Sequence, residues 1–104
     1  MKIFLDECVP TKLARLLPEH ECLTSKQMGW TGIQNGRLLA LVQGEFDVFL
    51  TADKNLRNQQ NLKDVDIAIV QISTNNVRVI EASIGTLREV LSTVSPGLLV
   101  TADL

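Results

Sequence analysis

Two carboxylates stand side by side where an apolar run stops: Ile3, Phe4 and Leu5 lead straight into Asp6 and Glu7. A third, Asp53, follows the apolar segment Val48–Thr51. Carboxylates gathered in one cleft repel each other and are most easily tolerated when a divalent cation neutralises them. All-oxygen donors suit Mg²⁺ or Mn²⁺, ions that activate water and clamp phosphoryl oxygens during hydrolysis. Asp6 and Asp53 are therefore candidate metal ligands, and Asp6, Glu7 and Asp53 the candidate catalytic set, with Glu7 as an outer ligand or base. The competing role is local: Asp6 would cap a helix N-terminus, and Asp53 a short helix starting at Lys54 or Asn55.

Other chemistries fit poorly. The lone His20 sits at a predicted strand start, and no Cys/His spacing suits zinc or a Ser-His-Asp arrangement. Gly29, Gly32 and Gly36 do not follow the first strand and lack the dinucleotide-binding spacing. Cys8 lies close to Asp6 and Glu7, but a thiol is a poor ligand for a hard cation, so a buried structural role is expected. The stretch KNLRNQQNLK after Asp53 interleaves Lys54, Arg57 and Lys63 with Asn and Gln, Asn55 among them. A loop of that kind offers cations to phosphates and amides to bases, as single-stranded RNA recognition requires. Trp30 could stack on a base, although ordinary packing is the expectation.

The elements that must position these residues follow from periodicity. Lys2–Leu5 reads as a strand buried on both faces, as in a parallel sheet. Leu13, Leu16 and Leu17 predict an amphipathic helix over 10–17, stopped by Pro18. A weaker strand covers 21–24, a loop or broken helix 25–34, and a helix 35–44. Strands follow at 48–51 and 67–72, then one long helix over 77–94 and a last strand at 98–101. This alternation predicts a single α/β domain spanning 1–104, with a mainly parallel central sheet and right-handed crossovers. Ligands in such sheets bind at the carboxyl ends of the strands, where connections leave to opposite faces. Should the first and third strands be neighbours at that point, Asp6 and Asp53 converge. Asp47 and Asp66 begin strands instead, and Asp47 should lie about 20 Å from the site, at ~3.3 Å per residue. FLTAD at 49–53 is echoed by LVTAD at 99–103, again placing an Asp just past a strand.

Composition narrows the class. The chain is 45% hydrophobic and 21% charged with a formal charge of −2, which suits an ordinary globular protein and not a strongly basic nucleic-acid binder. Its two cysteines, Cys8 and Cys22, without a secretory signal point to reduced thiols and a cytoplasmic location. No apolar run approaches the ~18 residues of a membrane span.

Three segments together, LDECVP, MGWTGIQNGRLL and FDVFLTADKNLRNQQNL, resemble the compact PIN-like proteins of bacteria, relatives of VapC-type toxins. The resemblance covers roughly residues 1–75. It implies a three-layer α/β/α sandwich, a Mg²⁺- or Mn²⁺-dependent ribonuclease site, a small antitoxin partner and a homodimer. Asp6 matches the family's acid after the first strand, and Asp53 the Asp of its T-x-D motif. Asn55 stands where the family places a further carboxylate, and Arg37 stands near another expected acid. An Arg37 reaching the cleft would pair with Asp6 or Asp53 and compete with a cation, or else join Lys54, Asn55 and Arg57 in holding RNA. Two other classes share part of this pattern. A non-catalytic interaction module would keep the fold to bind an antitoxin or itself. A phosphorylation receiver has acids at similar strand ends but needs a Lys after its last strand, and the final lysine here is Lys63.

Overall fold

The computed structural model describes residues 1–56 and 65–104. Five strands, β1 (Lys2–Leu5), β2 (Glu21–Thr24), β3 (Val48–Thr51), β4 (Ala68–Ile72) and β5 (Leu99–Ala102), form one sheet in the order β2-β1-β3-β4-β5. All four pairings are parallel. The helices are α1 (Leu13–Leu16), α2 (Ser25–Met28), α3 (Asn35–Val42), α4 (Val77–Ala82) and α5 (Ile84–Leu91).

Strand side chains alternate between two apolar clusters, as a pleated sheet requires. Ile3, Leu5, Val48, Leu50, Val70 and Ile72 join Leu13 and Leu17 around α1, Ile80 of α4 and Leu87 and Leu91 of α5. Phe4, Phe49 and Ile69 join Leu38, Leu39 and Val42 of α3, with Phe46 and Leu56. Both faces of the central strands are therefore covered, which is why their sequences read as continuous apolar runs. Each fully buried Leu, Ile or Phe contributes about 1.5–3 kcal/mol. Trp30 packs against Phe4 and Phe46, with ring centroids 5.8 and 6.1 Å apart, as its packing role predicts.

Several boundaries differ from the periodicity. The helix predicted over 10–17 is helical only over Leu13–Leu16, preceded by turn bonds from Leu13 to Pro10 and from Ala14 to Thr11. The single long helix predicted over 77–94 is two helices. Ser83, at φ −112° and ψ 20°, leaves helical geometry between them, and its N–H is shared by the carbonyls of Val79 and Ile80. Of the loop or broken helix predicted over 25–34, only Ser25–Met28 is helical, as α2. Thr24 Oγ1 accepts from Gln27 N–H at 3.2 Å, and Gln27 Oε1 accepts from Thr24 N–H at 2.8 Å, a reciprocal capping box. Gly29, at φ 74°, then ends it in the left-handed conformation that glycine adopts without a Cβ penalty. Among the described residues, no helix is long and apolar enough to cross a membrane.

The amino ends of the strands are tied together away from the acids. Asp47 donates its N–H to Lys2 O, its carboxylate accepts Lys2 N–H at 2.8 Å, and its carbonyl accepts Ala68 N–H. Asp47 and Asp66 are exposed at strand starts, and His20 sits 3.2 Å from the N-terminal amine. None of them approaches the opposite edge by this arrangement, as their strand-start positions predict.

Candidate functional site

The carboxyl ends of β1 and β3 lie side by side, since Ile3, Phe4 and Leu5 pair with Val48, Phe49 and Leu50. Asp6 N–H donates to Leu50 O at 3.0 Å, so the ladder runs on into the first acid. The connection after β1 leads to β2 on one side, while β3 lies on the other. This is the switch point where an open parallel sheet leaves a crevice.

Thr51, fully buried, joins the two acids. Its hydroxyl donates to Asp6 Oδ2 at 2.8 Å and accepts from Asp53 N–H at 3.0 Å. Asp6 Oδ1 accepts Glu7 N–H at 2.9 Å. Asp6 is thus held in the strand-end turn and does not cap α1, whose N-cap residue is Lys12. Asp53 Oδ1 accepts Asn55 N–H at 2.9 Å, the local capping bond that its position allowed. Glu7 turns elsewhere: its Oε1 accepts Gly32 N–H at 3.1 Å. Among the described residues, no three of His, Cys, Asp and Glu gather closely enough to hold a metal ion.

The expectation of a buried structural Cys8 needs correction. The residue is exposed, and its thiol lies at the site, 3.5 Å from Asp6 Oδ2 and 3.4 Å from Thr51 Oγ1, accepting Ala52 N–H at 3.3 Å. The turn after β1 brings Cys8 back over the end of β3, which sequence spacing alone does not reveal. Desolvation of the sulfur pushes this thiol's pKa up, with the Asp6 carboxylate acting in the same direction. The hydrogen bonds from Thr51 and Ala52 oppose that shift. Both cysteines are free.

The basic and amide residues fall unevenly. Lys54 and Asn55 are exposed in the turn after β3. Arg57 and Lys63 lie outside the described residues. Arg37 is exposed on α3, and the ion pairs seen among the described residues, Lys12–Glu81 and Arg88–Glu19, do not include it. Asp103, the echo of Asp53, is exposed after β5 at the sheet edge, with β4 between its strand and β3.

A cleft of about 250 Å³ opens beside the acids. Asp6 and Glu7 line it together with Leu5, Val9, Ser25 and Lys26, but Asp53 does not. Larger, open grooves of about 510 and 560 Å³ run past Arg15 and past Arg78, and neither includes an acid of the site. Size alone therefore does not mark the chemistry here. Thr51, Cys8 and Ser25 are the site residues that sequence reading misses. Signals existed for Thr51, the first residue of the T-x-D motif, and for the segment around Ser25, where Thr24 and Gln27 have capping-box spacing. Compared with protein-family models, curated proteins and solved structures, the chain matches none.

Proposed function

We propose that this chain is a metal-dependent ribonuclease of the PIN-like kind, its helices covering both sheet faces as a three-layer α/β/α sandwich. The observation that carries the reading is the Thr51 hydroxyl, which fixes the Asp6 carboxylate and the Asp53 backbone at adjacent central strand ends. The donor set was weighed against the ion. Asp6 Oδ2 already meets Thr51 and Cys8, while Oδ1 meets only Glu7 N–H, and a carboxylate offers about four lone-pair sites. Asp6 thus keeps capacity for a ligand bond. Mg²⁺ usually retains several waters and is held by one or two carboxylates plus substrate phosphate oxygens. Asp6 and Asp53 fit that mode and not a three-carboxylate cage. Bound there, Mg²⁺ or Mn²⁺ would supply an activated water and a clamp on the phosphodiester oxygens.

The chain's own residues would then act as follows. Thr51 keeps the Asp6 carboxylate from rotating away. Glu7, anchored through Oε1 to Gly32 N–H, retains Oε2 to take the proton of the attacking water. Lys54 and Asn55 offer a cation and an amide to the RNA strand, and Arg37 a second cation. The test is calorimetric titration with Mn²⁺ of the wild type and of Asp6→Asn and Asp53→Asn, followed by cleavage of single-stranded RNA with and without chelator. Saturable binding lost in both variants, with chelator-sensitive cleavage, is the expected result. Absence of Mn²⁺ binding would refute the reading. The second reading, a metal-free module that binds a small antitoxin or a second copy, is favoured by the two contacts that occupy Asp6 Oδ2. It would then take precedence.

A further inference from the structure

The Glu7 carboxylate is joined to a distant turn: its Oε1 accepts Gly32 N–H at 3.1 Å, and Glu7 and Thr31 both line the cleft beside Asp6. Ile33 N–H donates to Trp30 O at 3.2 Å, which closes a turn of four residues, and Gly32 is the third of them at φ 83°. Among the described residues no non-glycine has a positive φ, so Thr31, the second, does not. A closed turn with negative φ at its second position and positive φ at its third is type II. Types I and II differ in the central peptide, here Thr31–Gly32, which rotates by roughly half a turn between them, because ψ of the second residue and φ of the third change together. In the type II orientation its N–H meets Glu7. In type I that N–H would turn away, and the Thr31 carbonyl would come round towards the carboxylate.

Both ends of the turn are tied to the body of the protein. Trp30 N–H donates to Ser25 O at 2.8 Å, its ring packs on Phe4 and Phe46, and Ile33 packs against the same apolar cluster. With the ends held, the central peptide is the part that can rotate, and residue 32 selects its orientation. A Cβ there would meet nothing within 4 Å, so the backbone angle alone, and not lack of space, calls for glycine. We infer that Gly32 is a positioning residue for Glu7, its type II amide holding one carboxylate oxygen so that the side chain stays over the cleft. Glu7 is exposed, and an exposed glutamate left to itself samples several rotamers. A general base acts only from within hydrogen-bond reach of the proton it takes. The inference rests on the reading of Glu7 as the base of a hydrolytic site and adds the group that orients it.

The experiment is NMR of the labelled full chain, in chelator and without RNA, so that its outcome does not depend on catalysis. Three-bond couplings should show Glu7 in one side-chain rotamer, and a coupling across the hydrogen bond should join Gly32 N to the Glu7 carboxyl carbon. Gly32→Ala, which favours the negative φ of type I, should abolish that coupling and leave Glu7 averaged among rotamers. Gly32→Asn, a residue that visits the left-handed region more readily, should keep both signals. In cleavage of single-stranded RNA, Gly32→Ala should lower kcat about tenfold, less than the full contribution of a general base, with Mn²⁺ affinity unchanged. A Glu7 averaged in the wild type, or a Gly32→Ala protein that keeps the coupling, would overturn the positioning role even where RNA is cleaved. A Glu7 fixed in the wild type and released by Gly32→Ala, in a chain that binds no Mn²⁺, upholds the hold of the turn on Glu7 and removes the ribonuclease reading instead.

Discussion

At the scale of single residues, Thr51 matters more than its type suggests. A buried hydroxyl that both donates to one acid and accepts from the backbone of another cannot be exchanged for a methyl without leaving groups unpaired. Thr51→Val, nearly the same shape, should cost about 1–3 kcal/mol in urea unfolding and weaken Mn²⁺ binding, with Thr51→Ser recovering both. A Val variant as stable as the wild type would show that water replaces the hydroxyl. Cys22 gives a pH-dependent case. Burial pushes its thiol from an ordinary value of about 9 up to about 11, with Glu19 adding to the shift and the N-terminal amine opposing it. Between those values the unfolded thiol has lost its proton and the folded one has not. Stability from this group is thus complete below pH about 9 and lost as pH rises towards about 11. Urea midpoints measured across that window should fall more steeply for the wild type than for Cys22→Ala; equal slopes would remove Cys22 as the cause. The placement of Asp6 and Asp53 was legible because each follows an apolar strand. The contacts of Thr51 and Cys8 were not, because they arise from the pairing of β1 with β3 and from a turn that folds back over a strand end.

At the scale of elements, strands were read more accurately than helices. The strands β1, β2 and β3 coincide with the predicted segments, and β4 and β5 each begin one residue later than predicted. Burial on both faces makes a central strand a short unbroken apolar run, which sequence displays directly. A helix break is harder to see, since Val77, Ile80, Ile84, Leu87 and Leu91 keep their spacing across Ser83 while the backbone departs from helical geometry. Gly85 lies just beyond that break, within α5. Its φ is not positive and a Cβ would meet nothing within 4 Å. Gly85→Ala should therefore stabilise by about 0.5–1 kcal/mol, chiefly by restricting the unfolded chain, and raise Tm by a few degrees. A lowered Tm would mean that the break itself needs glycine. Gly29 is the contrasting position: at φ 74° any side chain is strained even though space is available.

At the scale of the whole molecule, the strand order places β1 and β3 at the centre, between β2 on one side and β4 and β5 on the other. The α/β class and the parallel sheet were legible from alternation alone, because each short apolar run is separated from the next by a helical period. The order of the strands was not, since periodicity carries no information about which strands become neighbours. That order is what sets the ends of β1 and β3 side by side, where Thr51 links the Asp6 carboxylate to the Asp53 backbone. The amide of Asp6 is itself bonded to Leu50 O between two central strands, with apolar clusters on both sides of the sheet. An edge loop can fray while its domain remains intact, but this rung separates only when the centre of the sheet does. The Asp6 amide should therefore exchange its hydrogen no faster than the centre of the sheet opens, whatever the faster motions of the surface.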